Sequence, residues 1–341
     1  MEPTRDTLIF IEPNSTAATE GTYQCLAHTA KGIATSAPIY VKRYFLEIPK
    51  LDAKEHTPIK GEPFELDCPP INAYPKPKIQ WLKKDNSDRI TRVNDLRHTT
   101  APNGKLLFSN ITDVDTKDFK YVCMASMLGI DPVFLAEHHI VGIKDKGSKH
   151  PQPSHQPQYV SRDVVTQLGE NTKLYCVYGG TPLTQVRWYF NDTELTKFNE
   201  RVHPHRNYSS NILLIKDTRV TDEGTYYCRH NDSRGVVTSL AINVTVFSPP
   251  AFAQTLEPQI LINEGKDVTI PCQVGGVPKP RINWTYNAQA LNTDDRISTI
   301  LTEHASKILI KNVKKSDQGF YGCTATNDHG FIYAESYLSV S

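Results

Sequence analysis

Three long segments of this chain repeat one arrangement of cysteine, tryptophan and tyrosine. Each begins with a cysteine that a tryptophan follows after 12 or 13 residues, in the pairs Cys68 and Trp81, Cys176 and Trp188, Cys272 and Trp284. Each ends with Tyr-x-Cys, at Cys123, Cys228 and Cys323, which lie 55, 52 and 51 residues after the first cysteines. Apolar residues alternate before the first cysteines, as in FELDC and VTIPC, which predicts strands with one buried face.

This repeat predicts an all-β fold of tandem I-set immunoglobulin-like β-sandwiches. In such a sandwich a disulfide joins the two sheets, the tryptophan packs on it, and the tyrosine hydroxyl bonds to nearby backbone. We therefore expect the disulfides Cys68–Cys123, Cys176–Cys228 and Cys272–Cys323, and complete domains over residues 44–143, 159–247 and 248–341. The first of these has two extra residues between Asp115 and Cys123, so its corner loop must bulge.

The seventh cysteine, Cys25, has no counterpart. It ends the stretch EGTYQC, which matches the second half of the repeat, so residues 1–43 are interpreted as the C-terminal half of a fourth domain. On this interpretation Cys25 is unpaired, and the first cysteine and the export signal would precede residue 1; the chain is then a truncated gene model, a partial transcript or a genuine short isoform. Half a sandwich cannot bury a core alone, so Leu8, Phe10, Tyr23 and Leu26 should face water or a neighbour.

Composition favours an extracellular glycoprotein. The 38 Lys and Arg balance 37 Asp and Glu, so no nucleic-acid partner is indicated, and no apolar run approaches the ~20 residues of a membrane span. Widely spaced cysteines without C-x-x-C favour disulfides in an oxidising compartment and give no metal site. Seven N-x-S/T sequons are glycosylation candidates: Asn14, Asn110, Asn191, Asn207, Asn231, Asn243 and Asn283.

The connections between the domains differ. Residues 144–158 have almost no apolar side chains, which predicts a flexible linker and a hinge in the middle of the chain. A central hinge would let the outer domains fold back onto the inner ones.

No motif of catalysis or cofactor binding is present in the sequence, so we expect neither an enzyme nor a cofactor. The densest polar cluster is Arg201, His203, His205 and Arg206, which could hold a phosphate or sulfate by charge-assisted hydrogen bonds, or be a solvated edge loop. A second basic run, PKPKIQWLKKD, is interpreted as a solvated face around a buried tryptophan. The linker histidines in HPQPSH favour a solvated spacer over a metal site.

Several stretches resemble the hemolin family of insect immunoglobulin-domain proteins: TPIKGEPFELDC, NAYPKP, FKYVC, PQYVSRD, DVTIPC, YGCTATNDHG and EGTYQCLAHTAKGIA. The resemblance implies a secreted haemolymph protein of innate immunity that binds bacterial lipopolysaccharide and lipoteichoic acid, associates with haemocytes and self-associates in homophilic adhesion. It also implies a horseshoe of four domains in which the first packs on the fourth. The alternative is a fragment of a neural-type homophilic adhesion ectodomain, such as that of neuroglian.

Overall fold

The fold is all-β, as the repeat predicts. A computed structural model describes residues 2–4, 7–9, 19–93, 96–116, 118–145, 156–181, 186–205, 210–231, 237–302 and 305–341. Short 3₁₀ helices interrupt the strands at Asp113–Thr116, Val220–Asp222 and Lys315–Asp317. The chain divides into two compact units, one of Met1–Arg43 with Phe247–Ser341 and one of Tyr44–Val246.

Residues up to 43 form strands that pair only with each other. They are β1 (Glu2–Thr4), β2 (Thr7–Ile9), β3 (Gly21–Tyr23), β4 (Leu26–Thr29), β5 (Gly32–Thr35) and β6 (Ile39–Val41). Antiparallel pairs join β3 to β6 and β4 to β5. Cys25 is free and exposed, and Leu26 is 53% exposed, both as expected. The Tyr23 side chain is half-buried, and those of Leu8 and Phe10 lie outside the described residues.

The first domain of the Tyr44–Val246 unit is a complete sandwich. Its strands are β7 (Phe45–Leu46), β8 (Asp52–His56), β9 (Phe64–Leu66), β10 (Ala73–Tyr74), β11 (Lys78–Asp85), β12 (Ile90–Arg92), β13 (His98–Thr100), β14 (Leu106–Phe108), β15 (Phe119–Met127) and β16 (Ile130–Ile140). One sheet has the order β12-β11-β15-β16-β8 and the other β13-β14-β9. Only β8 and β16 pair in parallel among these described strands.

The second domain of this unit repeats the plan. Its strands are β17 (Gln156–Val160), β18 (Asp163–Gln167), β19 (Thr172–Gly179), β20 (Val186–Phe190), β21 (Thr193–Glu194), β22 (Val202–Pro204), β23 (Ile212–Ile215), β24 (Gly224–Asn231) and the first part of β25 (Val237–Gln254). One sheet has the order β17-β19-β23-β22, and the other contains β21-β20-β24-β25.

The last domain lies in the other unit with residues 1–43. The end of β25 leads into β26 (Gln259–Ile262), β27 (Val268–Val277), β28 (Arg281–Tyr286), β29 (Gln289–Ala290), β30 (Ile297–Leu301), β31 (Ala305–Ile310), β32 (Gly319–Asn327) and β33 (Gly330–Val340). One sheet contains β25-β27-β31-β30 and the other has the order β26-β33-β32-β28-β29.

Each complete domain is built around a disulfide and a tryptophan. The three predicted disulfides are formed, and the tryptophans beside them are at most 8% exposed. Burying an indole N–H requires an acceptor, and each tryptophan has one: Gly104 O for Trp81, Ser210 O for Trp188 and Ser306 Oγ for Trp284. Alternation along β11 therefore places Trp81 in the core, as predicted.

Within the described residues, three of the four tyrosines that precede a cysteine by two positions form the expected tyrosine corner. Tyr226, Tyr321 and Tyr23 donate from the hydroxyl to the carbonyl four residues earlier, at 3.1, 2.8 and 2.9 Å. The Tyr121 hydroxyl donates to the Asp115 carboxylate at 3.2 Å, and residue 117, four positions before it, lies outside the described residues, so its backbone acceptor stays a prediction. The two extra residues place Asp115 six positions before Tyr121, where its side chain reaches the hydroxyl.

The predicted linker is only partly described. Residues 146–155 lie outside the described residues, so the hinge stays a prediction. The end of the segment differs from expectation, because residues 156–158 belong to β17 and pair with β19. Strand pairing uses backbone groups, so the Gln-Pro-Gln composition gave no indication of it.

Candidate functional site

The two domains of the Tyr44–Val246 unit meet through the outer faces of two sheets. Val177 of β19 packs with Leu107 of β14 and with Ala101, and all three side chains are at most 3% exposed. Tyr159 and Tyr175 cover this small cluster, with their rings edge to face at 5.8 Å between centroids. Apolar residues on the outer face of a sheet are thus buried between two sandwiches, which makes the junction stable.

Hydrogen bonds along the same junction involve mostly backbone. The Gln158 side-chain amide donates to the carbonyl oxygens of Phe64 and Phe108 at 3.2 and 3.0 Å. Gly180 N donates to Ser109 O at 2.7 Å. The strands of the two domains come close together beside this hydrogen bond. Gly179 faces Pro63 so closely that a Cβ there would lie 2.5 Å from the proline ring, so glycine is required.

A basic pocket of about 540 Å³ opens beside this junction. The first domain contributes Lys76, Lys78 and Arg92 to its wall, and the second contributes Lys173 and His205. No carboxylate is among the described residues that line the pocket. The four Lys and Arg side chains are exposed and form no ion pair within the described part of the chain. Cationic groups without counter-charges create a local positive potential that favours an anion.

Among the described residues that line this pocket, His205 is the one whose side chain titrates near neutral pH. Burial lowers the pKa of His205, and the neighbouring Lys173 and His203 lower it further. The imidazole is therefore largely neutral at pH 7. A bound anion would oppose the positive charge of Lys173 and favour protonation of His205, so anion binding and proton uptake at His205 are coupled.

Of the residues predicted as an anion cluster, the structure brings His203 and His205 to one pocket, and Arg201 is not among the residues that line it. Arg201 forms a two-pronged ion pair with Asp222, at 2.6 and 2.8 Å, and is thereby held in the corner of its own domain. His203 Nδ1 lies 3.0 Å from the Pro204 carbonyl oxygen. His205 lines the basic pocket, and Arg206 lies outside the described residues.

Sequence analysis missed the partners of His205. Arg92 and Lys173 stand alone in the sequence, and Lys76 and Lys78 were interpreted as an ordinary solvated face. The packing of two domains brings them together, and no local signal predicts that contact.

The ion pair of Arg201 recurs in every complete domain. Arg97 pairs with Asp115 and Arg296 with Asp317, in the same two-pronged geometry at 2.7 to 3.1 Å. Burial disfavours ionisation of Asp317, but hydrogen bonds from Arg296 and from the Lys314 amide outweigh it and hold its pKa below the ordinary value. An arginine 18 to 21 residues before the corner aspartate is the sequence signal that was available.

Comparison with known proteins places this geometry in a family. The family model of the immunoglobulin I-set domain matches residues 156–246 and 250–340. Hemolin of Lonomia obliqua is 38% identical over 342 residues, covering 98% of this chain and 80% of that protein. The chain belongs to the hemolin family. Hemolin of Hyalophora cecropia gives the same identity, again over 80% of its length.

Solved structures agree with the assignment to the hemolin family. A crystal structure of the insect immune protein hemolin superposes with a TM-score of 0.86 at 37% identity, covering 96% of this chain and 84% of that one. Neuroglian of Drosophila melanogaster is 34% identical over 99% of this chain, which spans 26% of that longer protein. The four N-terminal immunoglobulin domains of Dscam1 share the fold at about 20% identity.

Two expectations concern activity and membranes. The hemolin and immunoglobulin adhesion families are not enzymes, in agreement with the lack of catalytic motifs in the sequence. Among the described residues, no helix has the length and apolar character needed to cross a membrane.

Proposed function

We propose that this protein is an extracellular immune and adhesion protein that binds phosphorylated components of bacterial envelopes, lipopolysaccharide and lipoteichoic acid, through its basic pocket. Membership of the hemolin family supports the immune and adhesive role. The observation that carries the ligand class is the pocket itself, where Lys76, Lys78, Arg92 and Lys173 converge without a carboxylate. Lipid A and lipoteichoic acid both present phosphates, which lysine and arginine bind by charge-assisted hydrogen bonds.

Binding of purified lipopolysaccharide at several NaCl concentrations tests this role. The Arg92→Ala/Lys173→Ala variant should bind at least ~10-fold more weakly at low salt, with a flatter salt dependence, because two screened attractions are lost. The control variant Lys266→Ala/Lys307→Ala removes two exposed lysines of the last domain and should bind like the wild type. Equal affinity of the wild type for dephosphorylated lipopolysaccharide would exclude the phosphate contact.

Homophilic adhesion and association with haemocytes are the second part of the proposal. Neuroglian is similar along nearly the whole of this chain, and the related hemolin crystal structure is described as having implications for homophilic adhesion. Sedimentation velocity over a concentration series measures self-association directly. Coated beads that fail to aggregate, together with a strictly monomeric sedimentation profile, would contradict the homophilic part and leave the pocket untouched.

A secreted protein of this kind should carry N-glycans at exposed sequons. Asn191, Asn243 and Asn283 are exposed, whereas Asn110 is half-buried at the domain junction and donates to Thr181 Oγ1 at 3.4 Å. Asn14, Asn207 and the side chain of Asn231 lie outside the described residues. Glycopeptide mass spectrometry of secreted material should therefore find sugar at exposed sites and an unmodified Asn110.

A further inference from the structure

Two histidine rings lie against each other inside the first domain of the Tyr44–Val246 unit. His56, at the end of β8, places its Nε2 2.9 Å from Nδ1 of His138 on β16, and the rings stack at 5.1 Å between centroids. The other nitrogen of His138, Nε2, lies 2.9 Å from the Asp67 carbonyl oxygen. His138 is fully buried, with Trp81 at 5.6 Å.

For a neutral pair, these distances indicate where the protons are. The Asp67 carbonyl can only accept, so His138 Nε2 carries a proton and donates to it. His138 Nδ1 is then the acceptor, and His56 Nε2–H donates to it. A proton on His56 Nδ1 is compatible with this chain of hydrogen bonds. A proton on His138 Nδ1 requires His56 Nε2 to be the acceptor, so when both rings are cationic two N–H groups face each other at 2.9 Å and the hydrogen bond is lost.

The surroundings favour the neutral pair. Burial lowers the pKa of both imidazoles, and Lys54 lowers both further. His56 also lowers the pKa of His138, while the Asp67 carbonyl hydrogen bond and the Asp52 charge oppose this. The Asp67 carboxylate acts in the opposite direction on His56, because its negative charge raises the pKa of that imidazole. The rings that face the pair from the opposite strands, Phe64 and Trp81, carry no charge.

The pair also connects two parts of the unit. It joins β8 to β16, where Val141 N donates to His56 O at 3.0 Å. The His56 ring meets the Phe64 ring edge to face at 5.5 Å. Phe64 O is one of the two carbonyls that accept the Gln158 amide from the second domain. A displacement of His56 therefore affects the junction between the two domains through Phe64, which contacts both His56 and Gln158.

We propose that His56 and His138 form an acid-sensitive clasp, which holds β8 on β16 near neutral pH and loosens this strand and the Gln158 contact in an acidic compartment. Because the folded-state pKa values lie below the unfolded value, the stabilisation is fully present above the ordinary histidine pKa of 6.5 and is lost as pH falls through the lower folded values. The clasp concerns only this unit and is independent of anion binding in the basic pocket.

Hydrogen exchange of the full chain at pH 7.5 and pH 5.0, corrected for intrinsic rates, tests the clasp. The peptides to follow contain Val141 N and Gly180 N, which donate across the clasp and across the domain junction. In the wild type, the protection of both should fall at least ~10-fold at pH 5.0. Protection unchanged by pH would overturn the proposal.

Glutamine variants separate the clasp from other acid effects. In His56→Gln the side-chain amide donates to neutral His138 or accepts from the protonated ring, so protection should differ little between the two pH values. His138→Gln offers a second, independent reading, because its amide can donate to Asp67 O and accept from His56. His139→Gln, on the outer face of the same strand, should behave like the wild type. A wild-type drop in both clasp variants would assign the effect to another group, such as His98, which all the variants retain.

Discussion

The aspartate at the corner before the second cysteine needs a charged partner, and the sequence shows only in part which residue supplies it. Asp222 and Asp317 are nearly buried, and a buried carboxylate is tolerated only when it is paired and hydrogen-bonded. Arg201 and Arg296 meet that requirement with two hydrogen bonds each. The corner tyrosine donates to the backbone carbonyl of the same aspartate. Each aspartate therefore binds the arginine through its side chain and the tyrosine through its backbone.

This pairing gives Arg201 a structural role that can be measured. Arg201→Ala should lower the free energy of unfolding of its domain by about 3 kcal/mol, because it leaves the Asp222 carboxylate buried without its partner. Arg219→Ala is the matched control in the same domain, since Arg219 and its partner Asp217 are both largely exposed and such pairs contribute less than ~1 kcal/mol. Urea denaturation of both variants gives the comparison. Equal stabilities would contradict the structural role and return Arg201 to the list of ligand candidates.

The junction between the two domains of the Tyr44–Val246 unit depends on contacts between strands of different domains. Val177 and Gly179 both lie on the outer face of strand β19. Val177 makes an apolar contact, and Gly179 allows a close approach because it has no side chain. Pro63 precedes β9 and occupies the space beside Gly179. The close approach lets Gly180 and Gln158 bond to backbone of the first domain, so a large contact is built from few side chains.

Gly179→Ala tests that close approach. The added Cβ would lie 2.5 Å from two atoms of the Pro63 ring, so the two strands must separate and the Gly180 and Gln158 hydrogen bonds should weaken. Amide exchange at Gly180 should then rise at least ~10-fold, with both sandwich cores intact. Gly275 is at a strand position in the last domain where an added Cβ would have no atom within 4 Å, so Gly275→Ala should leave the exchange at Gly180 unchanged. An unchanged Gly180 amide would show that the junction can absorb the methyl group.

Sequence reasoning succeeded where the cause is local and periodic. Cys68 and Trp81 lie on strands whose alternation is visible in the sequence, so the disulfides, the tryptophan cores and most tyrosine corners were predicted correctly. It failed where two domains meet. Neither Lys173 nor Arg92 has a neighbour in the sequence that indicates a site, and His56 and His138 are 82 positions apart. Contacts of this kind follow from tertiary packing, which no single strand encodes.

At the scale of the whole chain, its first and last parts are joined within one compact unit. Strand β5 lies against the last domain, where Thr35 N donates to both oxygens of the Glu335 carboxylate at 3.0 Å. Tyr40 adds a hydroxyl bond to Phe331 O and an edge-to-face ring contact. This is the packing of the first domain on the fourth that the resemblance implied. It gives the short segment of residues 19–43 a covered side that it lacks alone.

Glu335 holds this contact at a partly buried position. Its carboxylate also accepts from the Tyr333 hydroxyl at 2.7 Å, and burial followed by this hydrogen bond raises the pKa of Tyr333 to about 12. Glu335→Ala should therefore release β5, because the Thr35 N–H loses a charged acceptor that water reaches poorly. Limited proteolysis should cut within residues 19–43 at least ~10-fold faster, while the disulfide-linked core of the last domain stays resistant.

Two comparisons make the proteolysis decisive. Glu257→Ala removes an exposed carboxylate of the same domain that lies away from β5 in the sequence and should leave the cleavage rate unchanged. Glu335→Gln keeps one acceptor oxygen without the charge and should give an intermediate rate, since hydrogen bonds to charged groups are roughly twice as strong as neutral ones. If all three variants were cleaved like the wild type, the Tyr40 contacts would be sufficient to hold the segment, and the carboxylate would have no part in joining the two ends of the chain.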